Sequence, residues 1–307
     1  MQHISVLLKE SIDNLNIKED GIYIDATLGY AGHSQEILSR VKRGFLFAFD
    51  QDEQACLESE KSLKKIGSNF EVIKSNFRYM KEELNQRNVN QVDGIIFDLG
   101  VSSPQIDNPK RGFTFMQDVP LDMRMDLSQE LKAETIVNNY DENELTRIFY
   151  SYAEEKLSKA IAKGICSARK NKKITTTKEL VKIIEGSVGG KYFYKYHPER
   201  KIFQALRIEV NKELEVLESI LPETFNLLKK GGRLCVISFH SLEDRIVKQT
   251  FKKYSEIDEL VKGLPDIPKE YKPTIKIITK KPILPSEDEI ERNSRSKSAK
   301  LRVCERI

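Results

Sequence analysis

Ile22–Ala26 (I-Y-I-D-A) runs directly into Thr27–His33 (T-L-G-Y-A-G-H), and the reading of this stretch decides the fold. A β-prone apolar run ends on an aspartate. A turn carrying Gly29 and Gly32 follows, and Ser34–Val41 (S-Q-E-I-L-S-R-V) has the pattern of a helix start. Strand, glycine turn and helix form the opening unit of nucleotide-type α/β folds, where a ligand lies over the unpaired N–H groups of the helix N-terminus. The next apolar run, Gly44–Phe49, ends in Asp50, 18 residues beyond Gly32 and near where an acidic residue takes a ribose diol. The spacing is not G-x-G-x-x-G, and a tight turn with no ligand is the competing reading. The missing third glycine and diphosphate cradle disfavour a dinucleotide. They suit a ligand with ribose and adenine but no phosphate, of which S-adenosylmethionine is the common one.

The same alternation continues on either side. Residues 1–20 read as a short helical lead-in, and Asp20-Gly21 turns the chain into the first strand. Gln51–Ile66 and Asn76–Arg87 read as helices, Phe70–Lys74 and Asp93–Leu99 as strands. Short continuous apolar runs are what buried parallel strands look like, so a doubly wound α/β sheet is expected. The alternation stops at Gly100–Asp126, a turn-rich stretch with exposed-looking arginines, and a loop of that length is usually functional or disordered. Helical patterns return at Ala133–Asn138, Glu142–Arg169 and Thr177–Ile184; Gly186–Lys201 mixes glycines, tyrosines and cations. Leu206, Val210, Leu214, Leu217 and Leu221 then predict one long amphipathic helix, kinked or restarted at Pro222 and closed by Lys229–Gly232. Arg233–Ser238 reads as a fifth strand, Ser241 as the next helix cap, and Ile275–Thr279 and Leu301–Cys304 as two last strands, with Ser286–Lys300 a mobile polar loop between them. The expected organisation is a discontinuous α/β domain, 1–104 with 202–307, and a mainly helical insert, 105–201. An insert leaving the fourth strand's carboxyl end should hang over the ligand.

At 307 residues the chain can bury a substantial core. With 32% charged residues, mean hydropathy −0.48 and no long apolar run, it reads as soluble, not membrane-bound. The first residues lack the pattern of a signal peptide, so a cytoplasmic location is expected. Cys56, Cys166, Cys235 and Cys304 lie far apart with no C-x-x-C, which points to core thiols and away from disulfides or a metal site. Net charge is only +4, yet 156–203 holds 13 Lys/Arg against 3 Asp/Glu, a net of +10, leaving −6 for the rest. A concentrated basic block is the footprint of a polyanion partner, with a solvated helical surface as the alternative.

The chemistry-bearing run is Asp98-Leu99-Gly100-Val101-Ser102-Ser103-Pro104, leaving the fourth strand beside the expected ligand. A carboxylate there can hold the exocyclic amine of a base or the amine of the cofactor's methionine end; an Asp capping a turn is the plainer reading. Eight stretches together resemble one family: His3–Glu10 (H-x-x-V-L-L-x-E), Asp25–Ser34, Asp93–Asp107, Arg111–Phe115 (R-G-F-T-F), Pro120–Asp126 (P-L-D-M-R-M-D), Phe203–Leu214, Gly231–Arg245 and Ser298–Arg302 (S-A-K-L-R). The chain resembles, over nearly its whole length, the bacterial MraW/RsmH family of methyltransferases. That resemblance implies a Rossmann-like class I fold, S-adenosylmethionine as cofactor, and the N4 amine of a decoding-centre cytidine in 16S rRNA as acceptor, within a small ribosomal subunit particle. A homodimer is compatible with it. By the same resemblance Ala31, Gly32 and His33 hold the methionine end, Asp50 the ribose and Phe77 the adenine, with Asp98 and Gln105 completing the site.

The sequence departs from the family at three places: Ala31 stands where glycine is usual, Ala153-Glu154-Glu155 where G-E-E is usual, and His197–Lys201 (H-P-E-R-K) where H-P-A-T-R is usual. For the chemistry, Asp98 and the backbone around Val101–Ser103 are the expected partners of the N4–H, with Ser102 and Ser103 as catalytic candidates beside Asp98. Arg111, Arg124, Lys170, Lys172, Lys173 and His197 are the expected contacts to RNA. Methylation of C5 would need a cysteine nucleophile, often after proline, and no Pro-Cys occurs. An amine acceptor needs alignment and a proton acceptor only. A DNA amino-methyltransferase would carry a D/N/S-P-P-Y/F/W loop, which Asp98–Pro104 does not match. A dinucleotide oxidoreductase would want the third glycine. A non-enzymatic RNA-binding module would not need Asp25, Asp50 and Asp98 at successive strand ends.

Overall fold

A computed structural model describes residues 5–257, 261, 263, 265–268 and 271–307; His3 of the first family motif lies outside them. The chain divides into two compact units, Met1–Gly100 with Leu214–Ile307, and Val101–Glu213. These boundaries fall at Gly100/Val101 and Glu213/Leu214, not at 104/105 and 201/202. The second shifts because the helix Pro198–Asn211 buries Ile202, Phe203, Leu206 and Val210 in the core of the second unit.

The first unit is a seven-stranded sheet: β1 Ile22–Asp25, β2 Phe45–Asp50, β3 Phe70–Lys74, β4 Val92–Asp98, β5 Leu228–Ser238, β6 Ile275–Ile277 and β7 Lys300–Arg306. Their spatial order is β3-β2-β1-β4-β5-β7-β6. β7 runs antiparallel to both neighbours, and the other paired strands are parallel. This is the doubly wound, Rossmann-like α/β sheet that the sequence predicts. Successive strand residues point to opposite faces, and here both faces are apolar. Ile24, Phe47, Phe97 and Val236 pack on one side with Leu217, Leu221 and Phe251; Tyr23, Leu46, Ile96 and Cys235 pack on the other with Ile12, Leu15 and Ile37. Each such side chain, fully buried, contributes roughly 1.5–3 kcal/mol of transfer free energy. Cys56, Cys235 and Cys304 are buried free thiols in these layers, and Cys166 is half-buried.

Several local expectations need correction. The long helix expected from Leu206 to Leu221 breaks at Lys212 (φ 53), giving Pro198–Asn211 and Glu213–Leu227, and Pro222 is accommodated inside the second helix. Lys229–Gly232 belongs to β5, not to a helix end, with Gly231 at φ 81. The helix Ser241–Ser255 is capped by His240 together with Glu243, one residue before the expected Ser241. Ser286–Lys300 is ordered: Ser286 caps the helix Glu287–Arg292, and the Ser296 side chain is fully buried in the next turn.

The second unit is mainly helical. Glu142–Arg169 is two helices, Glu142–Ala153 and Ser158–Ala168, because Glu154 takes a left-handed conformation (φ 48) that ends the first. Ile148, Phe149, Ile161, Ile165, Leu180, Ile184, Phe203 and Leu206 make its core. The turn-rich stretch before it is pinned into place. Leu121 N donates to Thr175 O, Thr177 N to Val119 O, and the Asn211 amide spans Met123 O and Met125 N.

Candidate functional site

The sheet order reverses between β1 and β4, because β1 leads to β2 and β3 on one side while β4 lies on the other. Ligands of such sheets bind at the carboxyl ends of the strands at that point. Three aspartates stand there, ending three adjacent strands: Asp50 on β2, Asp25 on β1 and Asp98 on β4.

Asp25 is buried. It accepts from Ser34 Oγ (2.7 Å) and Thr27 N (3.1 Å), so it ties the turn to the first helical turn of Gly32–Arg40. Burial still pushes its carboxyl up to about 6. Asp50 accepts from Gly29 N (2.8 Å) and Asp52 N (2.9 Å), and burial pushes it also to about 6. Each carboxylate keeps lone pairs beyond those bonds, since two oxygens offer about four acceptor sites. Asp98 is held by its backbone, whose N–H donates to Thr27 Oγ1 (2.6 Å). Its side chain is 21% exposed, yet Oδ1 is itself buried and has no hydrogen-bond partner among the described residues. Burial, with Asp25, Glu243 and Glu289 nearby, raises the Asp98 carboxyl well above the usual range. His33 Nδ1 lies 3.7 Å from its Oδ2. An unpartnered buried acceptor and a row of like charges cost stability, and such sites are where ligands bind.

The turn has its own logic. Ala31 sits at φ 64, in the region that favours glycine, and is fully buried. Alanine adopts this conformation at a cost of roughly 1–2 kcal/mol, which glycine would not incur. Gly32 is demanded from the other side: a Cβ there would fall 1.6 Å from Ser5 Oγ. Phe77 follows β3 in a short 3-10 turn and meets Phe97 edge to face, ring centres 5.2 Å apart. Asn76, just before it, donates to Gln51 Oε1 (2.8 Å), fixing the ends of β2 and β3 together.

Ala31, Gly32, His33, Asp50, Phe77 and Asp98 all belong to the first unit. Gln105, Ser102 and Ser103 belong to the second. There Ser102 Oγ accepts from Gln105 N (3.4 Å) and Gln105 Oε1 accepts from Ser102 N (2.9 Å), a reciprocal cap on the helix Ser103–Asp107. Sequence reasoning assigned no role to Glu243 and Glu289, whose charge helps raise the Asp98 carboxyl. Glu243 was visible inside the Gly231–Arg245 motif; Glu289 lay in the stretch read as a mobile loop.

The expected RNA contacts fare unevenly. Arg111 is only 5% exposed, and its guanidinium donates to Arg124 O (3.0 Å) and Met125 O (2.8 Å). Arg124 is clamped by Asp122 and donates to the carbonyls of Leu127 and Gln129. Both arginines hold the second unit's loop together, Arg111 buried and Arg124 partly exposed. Lys172 pairs with Glu179 and Lys173 with Glu134 (2.6 Å). Lys170 is exposed, and His197 is half-buried with Nδ1 3.1 Å from Glu199 Oε1.

Burial pushes the Cys56 and Cys235 thiols up to about 12 and also raises the Cys304 thiol well above its ordinary value, so these sulfurs stay protonated and unreactive. Among the described residues no group of three or more His, Cys, Asp or Glu is placed to hold a metal ion, and no helix is long and apolar enough to cross a membrane.

The chain has weak structural likeness to an rRNA methylase from Streptococcus thermophilus, at 12% identity and TM-score 0.46, covering 100% of this chain and 99% of that one. A second likeness is to a candidate rRNA methylase from Clostridium thermocellum, at 13% identity and TM-score 0.45, covering all of both chains. Likeness at that level does not by itself establish a shared function. The family profile does so at its own level: the MraW methylase family matches residues 1–307, and the chain belongs to that family.

Proposed function

We propose that this methylase transfers a methyl group from S-adenosylmethionine to the N4 amine of a decoding-centre cytidine in 16S rRNA. The observation that carries the reading is the carboxylate row at the reversal of the sheet, with the unpartnered Oδ1 of Asp98 at its end. When bound, S-adenosylmethionine supplies an electrophilic methyl group on a cationic sulfonium. Asp50 accepts hydrogen bonds from the ribose hydroxyls, and Phe77 lines the adenine. The Ala31–His33 turn and Asp25 surround the methionine end with acceptors and helix N–H groups. Asp98 takes the N4–H through its open oxygen, which aims the nitrogen lone pair at the methyl group. The raised proton affinity of its carboxylate suits it to receive the proton released on transfer.

Alignment of two bound reactants can be worth about 7–11 kcal/mol, so no covalent intermediate is needed. A target base inside folded RNA has to be splayed out to reach such a site. The second unit, 101–213, is the RNA-recognition body in this reading, with Lys170, Lys172, Lys173 and His197 toward the backbone. Ser102 and Ser103 are further candidates for contact with the acceptor base. The substrate is RNA within a small ribosomal subunit particle, and the enzyme works in the cytoplasm. Nucleoside mass mapping of small-subunit rRNA from a strain lacking the gene, with add-back of protein and cofactor, tests the reading. Loss and restoration of one N4-methylcytidine is expected; an unchanged map contradicts it.

A further inference from the structure

The second unit carries a feature that methyl transfer does not use. A groove of about 480 Å³ is lined by Gly189, Gly190, Lys191, Tyr192, Lys195 and Tyr196, with Val188 at its edge. Its lining holds two cations and no acid. Tyr192 and Tyr196 stand one turn apart on the helix Gly190–Tyr196, ring centres 4.7 Å apart and tilted 44°. Phe193, between them in sequence, is buried in the core and fixes the helix's rotation. The Tyr192 hydroxyl donates to buried Glu155 (2.7 Å), which anchors that ring. Tyr196 is 54% exposed, and the Lys195 ammonium lies over its ring at 5.1 Å. At the floor, Gly189 takes φ 80 with nothing near where a Cβ would stand, and a Cβ on Gly190 would meet only the Tyr194 ring, at 3.7 Å. Internal packing does not ask for a bare backbone at Gly190.

A large exposed aromatic face costs a protein contact with water, and a cation resting on it is easily moved. We infer that this groove stacks one unpaired base of the RNA on Tyr196, a base separate from the methylated cytidine, with Lys191 and Lys195 on the flanking phosphates. The inference rests on the RNA substrate proposed above. The incoming base takes the place of the Lys195 ammonium on the ring, and the lysine turns to a phosphate. Stacking tolerates any base, because each has a π face. The bare Gly189–Gly190 backbone lets the sugar-phosphate chain approach closely.

The test is equilibrium binding of a fluorescent single-stranded RNA to the full chain, with a duplex of the same sequence as comparison. Tyr196→Ala should weaken single-strand binding roughly 5- to 150-fold, the range for loss of one base–aromatic stack, and leave duplex binding little changed. Tyr196→Phe should restore affinity. Lys191→Gln with Lys195→Gln should flatten the slope of log affinity against log salt by about 1.4. These surface variants keep the buried Phe193 and the Glu155 anchor, so the fold is retained, and an unshifted thermal midpoint checks that. Equal binding by Tyr196→Ala and wild type, while wild type still methylates RNA, overturns the groove and leaves the enzyme reading standing. Failure of wild type to bind or methylate any RNA overturns both.

Discussion

The two units treat their charges in opposite ways. In the first, Asp25, Asp50 and Asp98 end adjacent strands, and two more acids, Glu243 and Glu289, add to the negative charge that raises the Asp98 carboxyl. In the second, several cations are held internally: Lys172 and Lys173 of the basic segment on acids, and before it Arg111 on carbonyls and Arg124 on Asp122 and carbonyls. A few acids gathered at adjacent strand ends, one of them with an unpartnered oxygen, mark a site more clearly than cations strung along a segment and paired within it. Counting charge along a sequence measures the second and misses the first.

Changes that break this contrast have graded effects. The largest effect on folding should come from Arg111→Ala, which strands two carbonyls and empties a buried position. A loss of about 2–4 kcal/mol is expected by urea denaturation. A wild-type midpoint with weakened RNA binding would return Arg111 to the RNA surface. Asp50→Ala should weaken S-adenosylmethionine binding by about 1.5–3 kcal/mol per hydrogen bond lost to the ribose, read by calorimetry. Unchanged affinity would remove Asp50 from the site.

The pH dependence sharpens the same point. Asp25 and Asp50 titrate near 6, above the ordinary aspartate value, so they are neutral below that pH and charged above it. A cationic sulfonium and ribose hydroxyl donors favour the charged forms. Cofactor affinity should therefore rise with pH between about 5 and 7, with proton release on binding, by up to tenfold per pH unit for each coupled group. Affinity flat across that window would mean that neither carboxylate meets the cofactor. The smallest effect belongs to the lysines. Lys170→Gln should flatten the salt dependence of RNA binding by about 0.7, and Lys173→Gln by less than half as much, because the Glu134 pair holds that ammonium. Equal changes would show that the ion pair opens on RNA.

Much of the first unit is legible in sequence because parallel strands announce themselves as apolar runs and because Asp25, Asp50 and Asp98 each close one. The Lys212 break is not legible: a lysine in the left-handed region carries no local mark, and the leucine spacing runs straight through it. Arginine content cannot tell a guanidinium that binds carbonyls from one that faces solvent, so Arg111 and Arg124 read as surface. Glu289 acts on Asp98 from 191 residues away in sequence, and its helix is tied down by the Leu7 N–H that its carboxylate accepts, a contact no local pattern announces. Ala31 shows both sides. Its place in the turn is plain in the sequence, and the positive φ it adopts there is not.

The most direct test of the methyl-transfer site is a single-turnover reaction with methyl-labelled S-adenosylmethionine and small-subunit ribosomal particles, comparing wild type with Asp98→Ala and reading labelled nucleosides by mass spectrometry. The account predicts label in N4-methylcytidine for wild type and none for Asp98→Ala while that variant still binds the cofactor. Label appearing at the wild-type rate with Asp98→Ala would place the transfer of the N4 proton elsewhere and contradict the account.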